Sequence, residues 1–140
     1  MATFNKYHCF VENLAEKVHN LGSDTLKIAL TNTAPASSDT VWNTTVYPAP
    51  TAANGYTAGG NTLTVTSSSQ TSGTYKLVVS DSTFTASGGQ IGPFRYVVMY
   101  NSTASGSVIG YYDYGSSITL NDTETFTVDF DAANGVLTIA

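Results

Sequence analysis

The sequence predicts a mainly β fold, an antiparallel β-sandwich or jelly roll preceded by one N-terminal amphipathic helix. Three observations carry this. From Thr25 onward, apolar and polar residues alternate with a period of two in short runs. Those runs are rich in β-branched and aromatic residues, which favour strands. In the second half they recur about every 8–12 residues, with Gly- and Asn-rich turns between them.

The elements follow in order. Between Phe4 and Leu21 the apolar residues are Phe4, Tyr7, Val11, Leu14, Val18 and Leu21, spaced 3, 4, 3, 4 and 3 apart. That spacing places them on one stripe of a helix. The helix is expected over 3–22, with Thr3 as its cap and Gly22 at its end. Its stripe can pack on the protein's own sheet or dock on a neighbouring subunit. Strands are expected at Thr25–Thr31, Thr62–Thr66, Tyr75–Ser80, Phe94–Tyr100, Val108–Tyr112, Ile118–Leu120, Thr125–Phe130 and Val136–Ile139. Asn134-Gly135 is a hairpin signal before the last of these. Ser67–Gly73 is polar and is expected to be an exposed hairpin tip. The stretch from about 32 to 61 holds Pro35, Pro48 and Pro50 and the turn-prone Asn54-Gly55 and Gly59-Gly60. It reads as a long surface loop with one short strand near Val41–Tyr47, and long loops of this kind are often functional. The whole, 1–140, suits a single domain, with the β region over 25–140.

Composition narrows the function. Charged residues make up 11% of the chain, against about 25% in ordinary globular proteins. The deficit is filled by 22 Thr and 15 Ser, so the surface is rich in hydroxyls. The net charge is −5, and the basic residues number five: Lys6, Lys17, Lys27, Lys76 and Arg95. So few cations make no phosphate-binding patch, which argues against nucleic acid and against docking on an anionic membrane. Cys9 is the only cysteine, so no intrachain disulfide can form, which fits a reducing cytoplasm. No apolar run approaches the roughly 18 residues of a membrane span. The first residues lack the basic-then-apolar layout of a signal peptide. The expectation is a soluble protein made in the cytoplasm.

No residue pattern points to catalysis, a metal or a cofactor. His8 and His19 lie on the expected helix roughly 16 Å apart along its axis, too far to share a metal. His8 and the adjacent Cys9 point in different directions, and Cys9 reads as a small buried or half-buried side chain. Asp129 and Asp131 share a strand face, and Asp113 sits between Tyr112 and Tyr114. Such carboxylates can ligate calcium or serve a glycosidase, but a solvated strand face accounts for them as well. Gly59-Gly60 and Gly88-Gly89 are turns, since no phosphate-loop pattern follows either. Three glycosylation-type triplets, at Asn43, Asn101 and Asn121, are expected by chance in a chain this rich in Asn, Ser and Thr. Arg95, flanked by Phe94 and Tyr96, is either a surface residue or a charge awaiting a carboxylate partner. Tyr112 and Tyr114 share one strand face and Tyr111 takes the other. Exposed tyrosines there suit a protein contact. The candidate contact residues are Phe4, Tyr7, Val11, Trp42, Tyr47, Tyr111, Tyr112 and Tyr114.

Five segments together carry a resemblance: Asn13–Pro35 (NLAEKVHNLGSDTLKIALTNTAP), Asn54–Asn61 (NGYTAGGN), Ile91–Asn101 (IGPFRYVVMYN), Ile109–Leu120 (IGYYDYGSSITL) and Thr123–Ile139 (TETFTVDFDAANGVLTI). They resemble a family of small virion structural proteins of tailed bacteriophages and prophages, over nearly the whole chain except around Thr40–Pro50. The resemblance implies a capsid decoration, or cement, protein on the outer capsid surface. Its implied partner is the major capsid protein, and its implied state a homo-oligomer, dimer or trimer. It implies no catalytic residues. A tail or fibre component, or a carbohydrate-binding β-sandwich module, are the alternatives.

Overall fold

The computed structural model describes residues 2–140. The chain is mainly β, with antiparallel pairing throughout and one short helix. In order it forms β1 (Asn5–Lys6), α1 (Cys9–Ala15), β2 (Leu26–Thr31), β3 (Asn61–Thr62), β4 (Val65–Thr71), β5 (Thr74–Val79), β6 (Ser82–Thr85), β7 (Ile91–Asn101), β8 (Ser107–Leu120), β9 (Thr125–Val128) and β10 (Leu137–Ile139). A five-stranded sheet has the order β1-β8-β7-β2-β3, a three-stranded sheet the order β10-β5-β4, and β6 pairs with β9.

All three sheets feed one apolar core. Leu26, Ile28 and Leu30 of β2 alternate into it, as the period of two requires. Val97 and Met99 of β7, Leu77 and Val79 of β5, Phe84 of β6 and Val128 of β9 meet them there. The intervening residues of the large sheet are buried too. Ala29, Val98, Tyr100 and Val108 form a second core with Tyr7, Trp42 and Tyr47. The central strands are thus covered on both faces, which is why β7 reads as a nearly unbroken apolar run.

The second cover is the stretch from 32 to 60: it is irregular and mostly exposed, but Trp42, Tyr47 and Tyr56 turn inward from it. Trp42 stacks between Tyr47 (5.2 Å, 5°) and Tyr100 (5.5 Å, 17°). The buried hydroxyls of this layer all find partners. Tyr47 donates to the Asp39 carboxylate and lies 3.1 Å from the Tyr7 hydroxyl. Tyr100 donates to the Gly59 carbonyl at 2.7 Å, and Tyr56 of the same stretch, which turns into the main core, accepts from the Leu30 N–H at 3.1 Å. Prolines break strand pairing, but they do not prevent aromatic side chains from packing on a sheet. The short strand expected at Val41–Tyr47 is reduced to one bridge, Val41 to Ser107.

The helix expected over 3–22 is also corrected: it spans only Cys9–Ala15. Thr3 is not its cap, because residues 5–6 are drawn out to pair with Tyr111 and Gly110 of β8. It stops before Gly22. Lys17 adopts φ 66°, and the Val18 and Lys17 N–H groups close onto the carbonyls of Asn13 and Leu14, a Schellman stop with lysine where glycine is usual. Of the expected stripe, Tyr7 and Leu21 are buried, Phe4 and Leu14 half-buried, and Val11 and Val18 exposed.

Four smaller differences follow from long-range pairing. Ser67–Thr71 belongs to β4, and the exposed tip shrinks to Ser72-Gly73. Val108–Tyr112 and Ile118–Leu120 merge into one long β8. The strand β6, with sequence STFT, carries too little apolar pattern to be read in advance. Asn134-Gly135 does turn the chain, but β10 pairs with β5 in another sheet and makes no hairpin with β9.

Candidate functional site

Strand β8 outruns its neighbour. On β8's outer edge, β1 pairs only with Gly110 and Tyr111, and beyond them β8 swells into a bulge. Phe94 pairs with Ile118 and Tyr96 with Asp113, so two steps along β7 face five along β8. Arg95 pins this bulge. Its Nε and Nη2 donate to the two Asp113 oxygens at 2.7 and 2.9 Å, a bidentate fork. Asp113 Oδ1 also accepts from the Gly115 N–H at 2.8 Å, and Gly115 has φ +100°. The Arg95 hydrogen bonds, and then that of Gly115, hold the Asp113 carboxyl below its ordinary range. Tyr114 is left standing outward on the bulge, 54% exposed.

Below Tyr114 lies an open cleft of about 470 Å³. Its walls are aromatic: Phe4 and Tyr112 (centroids 5.5 Å apart), Phe130 (6.2 Å from Tyr112), and Phe126 (5.6 Å from Tyr114). Phe126 is fixed from beneath by an edge contact with Phe94 at 5.1 Å. Phe4 reaches the cleft because Gly110 has no side chain; a Cβ there would lie 2.2 Å from the Phe4 ring. Burial pushes the Tyr112 phenol up to about 12. Asp129 and Asp131 also line the cleft, Asp129 exposed and Asp131 half-buried. Asp131 is kept ionised by hydrogen bonds from the Asn134 backbone and side chain and the Ala133 N–H, with Lys76 nearby.

The residues singled out from sequence therefore separate. Phe4, Tyr112 and Tyr114 meet in the cleft. Tyr111 takes the opposite face, packed on Tyr7 at 5.2 Å, as the alternation requires. Tyr7, Trp42 and Tyr47 are corrected as contact candidates: at 0%, 7% and 0% exposure they are consumed by the second core. Val11 is exposed on α1 and is not among the residues lining the cleft. Phe126 and Phe130 complete the cleft, and the alternation of TFTVDF, with both on one face, was their signal. Cys9 is half-buried, as expected, with its thiol against the Asp39 carbonyl at 3.6 Å. Among the described residues, no group of three His, Cys, Asp or Glu is placed to hold a metal. Nor is any helix long and apolar enough to cross a membrane.

An open aromatic trough with carboxylates on its wall can bind, by apolar burial and by accepting hydrogen bonds or cations. Comparison with protein-family models, curated proteins and solved structures finds no match for this chain.

Proposed function

We propose that this chain is a virion structural protein of a tailed bacteriophage, a cement protein that binds the outside of the capsid and stabilises it. On this reading its sheets form a sandwich of the jelly-roll kind, and it is made in the host cytoplasm. The five sequence segments quoted above support the setting. The aromatic cleft is the observation that supports an adhesive role. Tyr114 and Phe126 present apolar surface at an open mouth, where aromatic anchors dominate protein contacts.

The occupant of the cleft is an extended segment of a major capsid subunit, with apolar side chains and a lysine or arginine. The charge of the wall argues for the cation: Asp129 and Asp131 line the trough against one nearby ammonium, Lys76, whose Nζ donates to the Ala133 carbonyl at 2.8 Å, and the only arginine, Arg95, is already paired with Asp113. Binding the assembled shell better than free subunits stabilises the shell by mass action, and repeated sites on one lattice add avidity.

The test is co-sedimentation of the purified protein with mature capsids that lack it, followed by cryo-microscopy of the decorated particle. Tyr114→Ser and Asp129→Lys should each weaken binding about tenfold or more while leaving the fold intact by circular dichroism. Density on the tail, or no density on the shell, would overturn the cement role. A second reading has one observation in its favour, since aromatic walls with carboxylates also suit sugar rings. Glycan binding that is lost in Tyr112→Ala and Tyr114→Ala would select it. Trp42, buried in the second core, has no part in that alternative.

A further inference from the structure

The connection between α1 and β2 meets the body of the protein through Leu21, which enters the main core, and through one polar triangle whose carboxylate, Asp24 Oδ2, also accepts from the Asn20 N–H at 2.8 Å. The Asn101 side chain, fully buried at the end of β7, sits at the centre of the triangle. Its Nδ2 donates to Asp24 Oδ2 at 2.6 Å and contacts His19 Nδ1 at 3.1 Å. Its Oδ1 accepts from the Ala104 N–H at 3.1 Å. These partners fix which way the amide faces. Turning it over would set Oδ1 against the Asp24 carboxylate and the NH2 group against the Ala104 N–H. Asn101 therefore offers His19 a donor, and His19 Nδ1 must be the acceptor.

The tautomer follows. A neutral imidazole that accepts at Nδ1 carries its proton on Nε2. Nε2 is buried without a hydrogen-bond partner, and the whole side chain is only 5% exposed, packed against Phe10 at 5.5 Å. A second proton has one place to go, Nδ1, where it would point at the Asn101 NH2 group. Protonation and the triangle are incompatible.

We propose that His19, Asn101 and Asp24 form an acid-released latch, which holds the Lys17–Asp24 connection on the end of β7 at neutral pH and lets it go as the pH falls. The groups around the ring are consistent with this direction. Asp24 is the only carboxylate in the triangle and favours the imidazolium. Lys17 and Tyr75 line the same shallow groove, α1 presents Phe10, and β7 presents Asn101. Burial outweighs Asp24 and lowers the His19 pKa below its ordinary 6.5. The sign is then fixed: the unfolded or released form binds the extra proton more readily, so the latch is intact above pH 6.5 and weakens below it. Release is local: the connection reaches the main core through Leu21, whereas β2, β7 and β8 are held by the two cores on either side.

Amide hydrogen exchange on the intact protein, corrected for the intrinsic pH dependence, reads this directly. Amides of Val18–Asp24 should lose protection by about tenfold or more between roughly pH 7 and pH 5, while those of Val97–Met99 hold theirs. The His19 ring resonances should titrate over the same interval. His19→Gln should remove the step, and Asp24→Asn should keep it. Equal protection at both pH values in the wild type overturns the latch. So does a step that survives in His19→Gln, or one that vanishes only in Asp24→Asn. If His19→Gln does not fold, the wild-type ring titration decides: exchange that opens without tracking the imidazole overturns the latch.

Discussion

At the scale of single residues, the tyrosines do two different jobs. Tyr56 and Tyr112 are both buried enough to push their phenols up to about 12. A phenol that stays neutral in the fold but ionises at its ordinary 10.0 in the unfolded chain makes stability fall as pH rises. The protein should therefore hold its urea midpoint up to about pH 10 and lose it progressively toward pH 12, as followed by phenolate absorbance and circular dichroism. The two residues should part company on substitution. Tyr56→Phe strips the Leu30 N–H of its acceptor in a buried place, at a cost of about 1–3 kcal/mol in urea unfolding. Tyr112 makes no side-chain hydrogen bond among the described residues, so Tyr112→Phe should leave stability nearly unchanged and shift only the alkaline limb.

At the scale of elements, the 32–60 stretch behaves as a loop that covers the sheet through a few inward side chains. Trp42→Ala would empty the space between the Tyr47 and Tyr100 rings, and large aromatic truncations of this kind cost about 3–5 kcal/mol. Urea unfolding should register that loss even though Trp42 lies in a segment without regular structure. The same cover depends on Gly60, where φ is +77° and a Cβ would sit 1.9 Å from the Ile28 carbonyl oxygen. Gly60→Ala should prevent the segment from closing onto β2, seen as loss of soluble folded protein. Strand β1 carries a subtler dependence. Gly110→Ala should drive the Phe4 ring off β8 and open one wall of the cleft with the cores intact, as checked by circular dichroism and by the ring resonances of Phe4; on the proposed cement role it should also weaken co-sedimentation with capsids.

At the scale of the molecule, much of the β framework was legible because alternation is local. A strand with one face on the core must place apolar residues two apart, and Leu26, Ile28 and Leu30, or Phe126 and Val128, record this without reference to any partner. The face shared by Tyr112 and Tyr114 was legible for the same reason. The helix misled because a 3–4 spacing needs only a stripe, and that stripe was divided among the residues flanking β1, one short helix and the connection after it. His19 and Asn101, 82 positions apart, carry no sign in the sequence that they touch.

The sequence by itself determined the β class, the hydroxyl-rich acidic surface and which side chains share each strand face, since these depend on composition and on backbone period. Only the tertiary structure decided that Trp42 and Tyr47 are interior, that β8 bulges to raise Tyr114, and that Phe4 and Phe126 wall one cleft. Those outcomes rest on contacts between distant segments. Each closes a long loop at an entropic cost that only the assembled core repays, so no local pattern announces them.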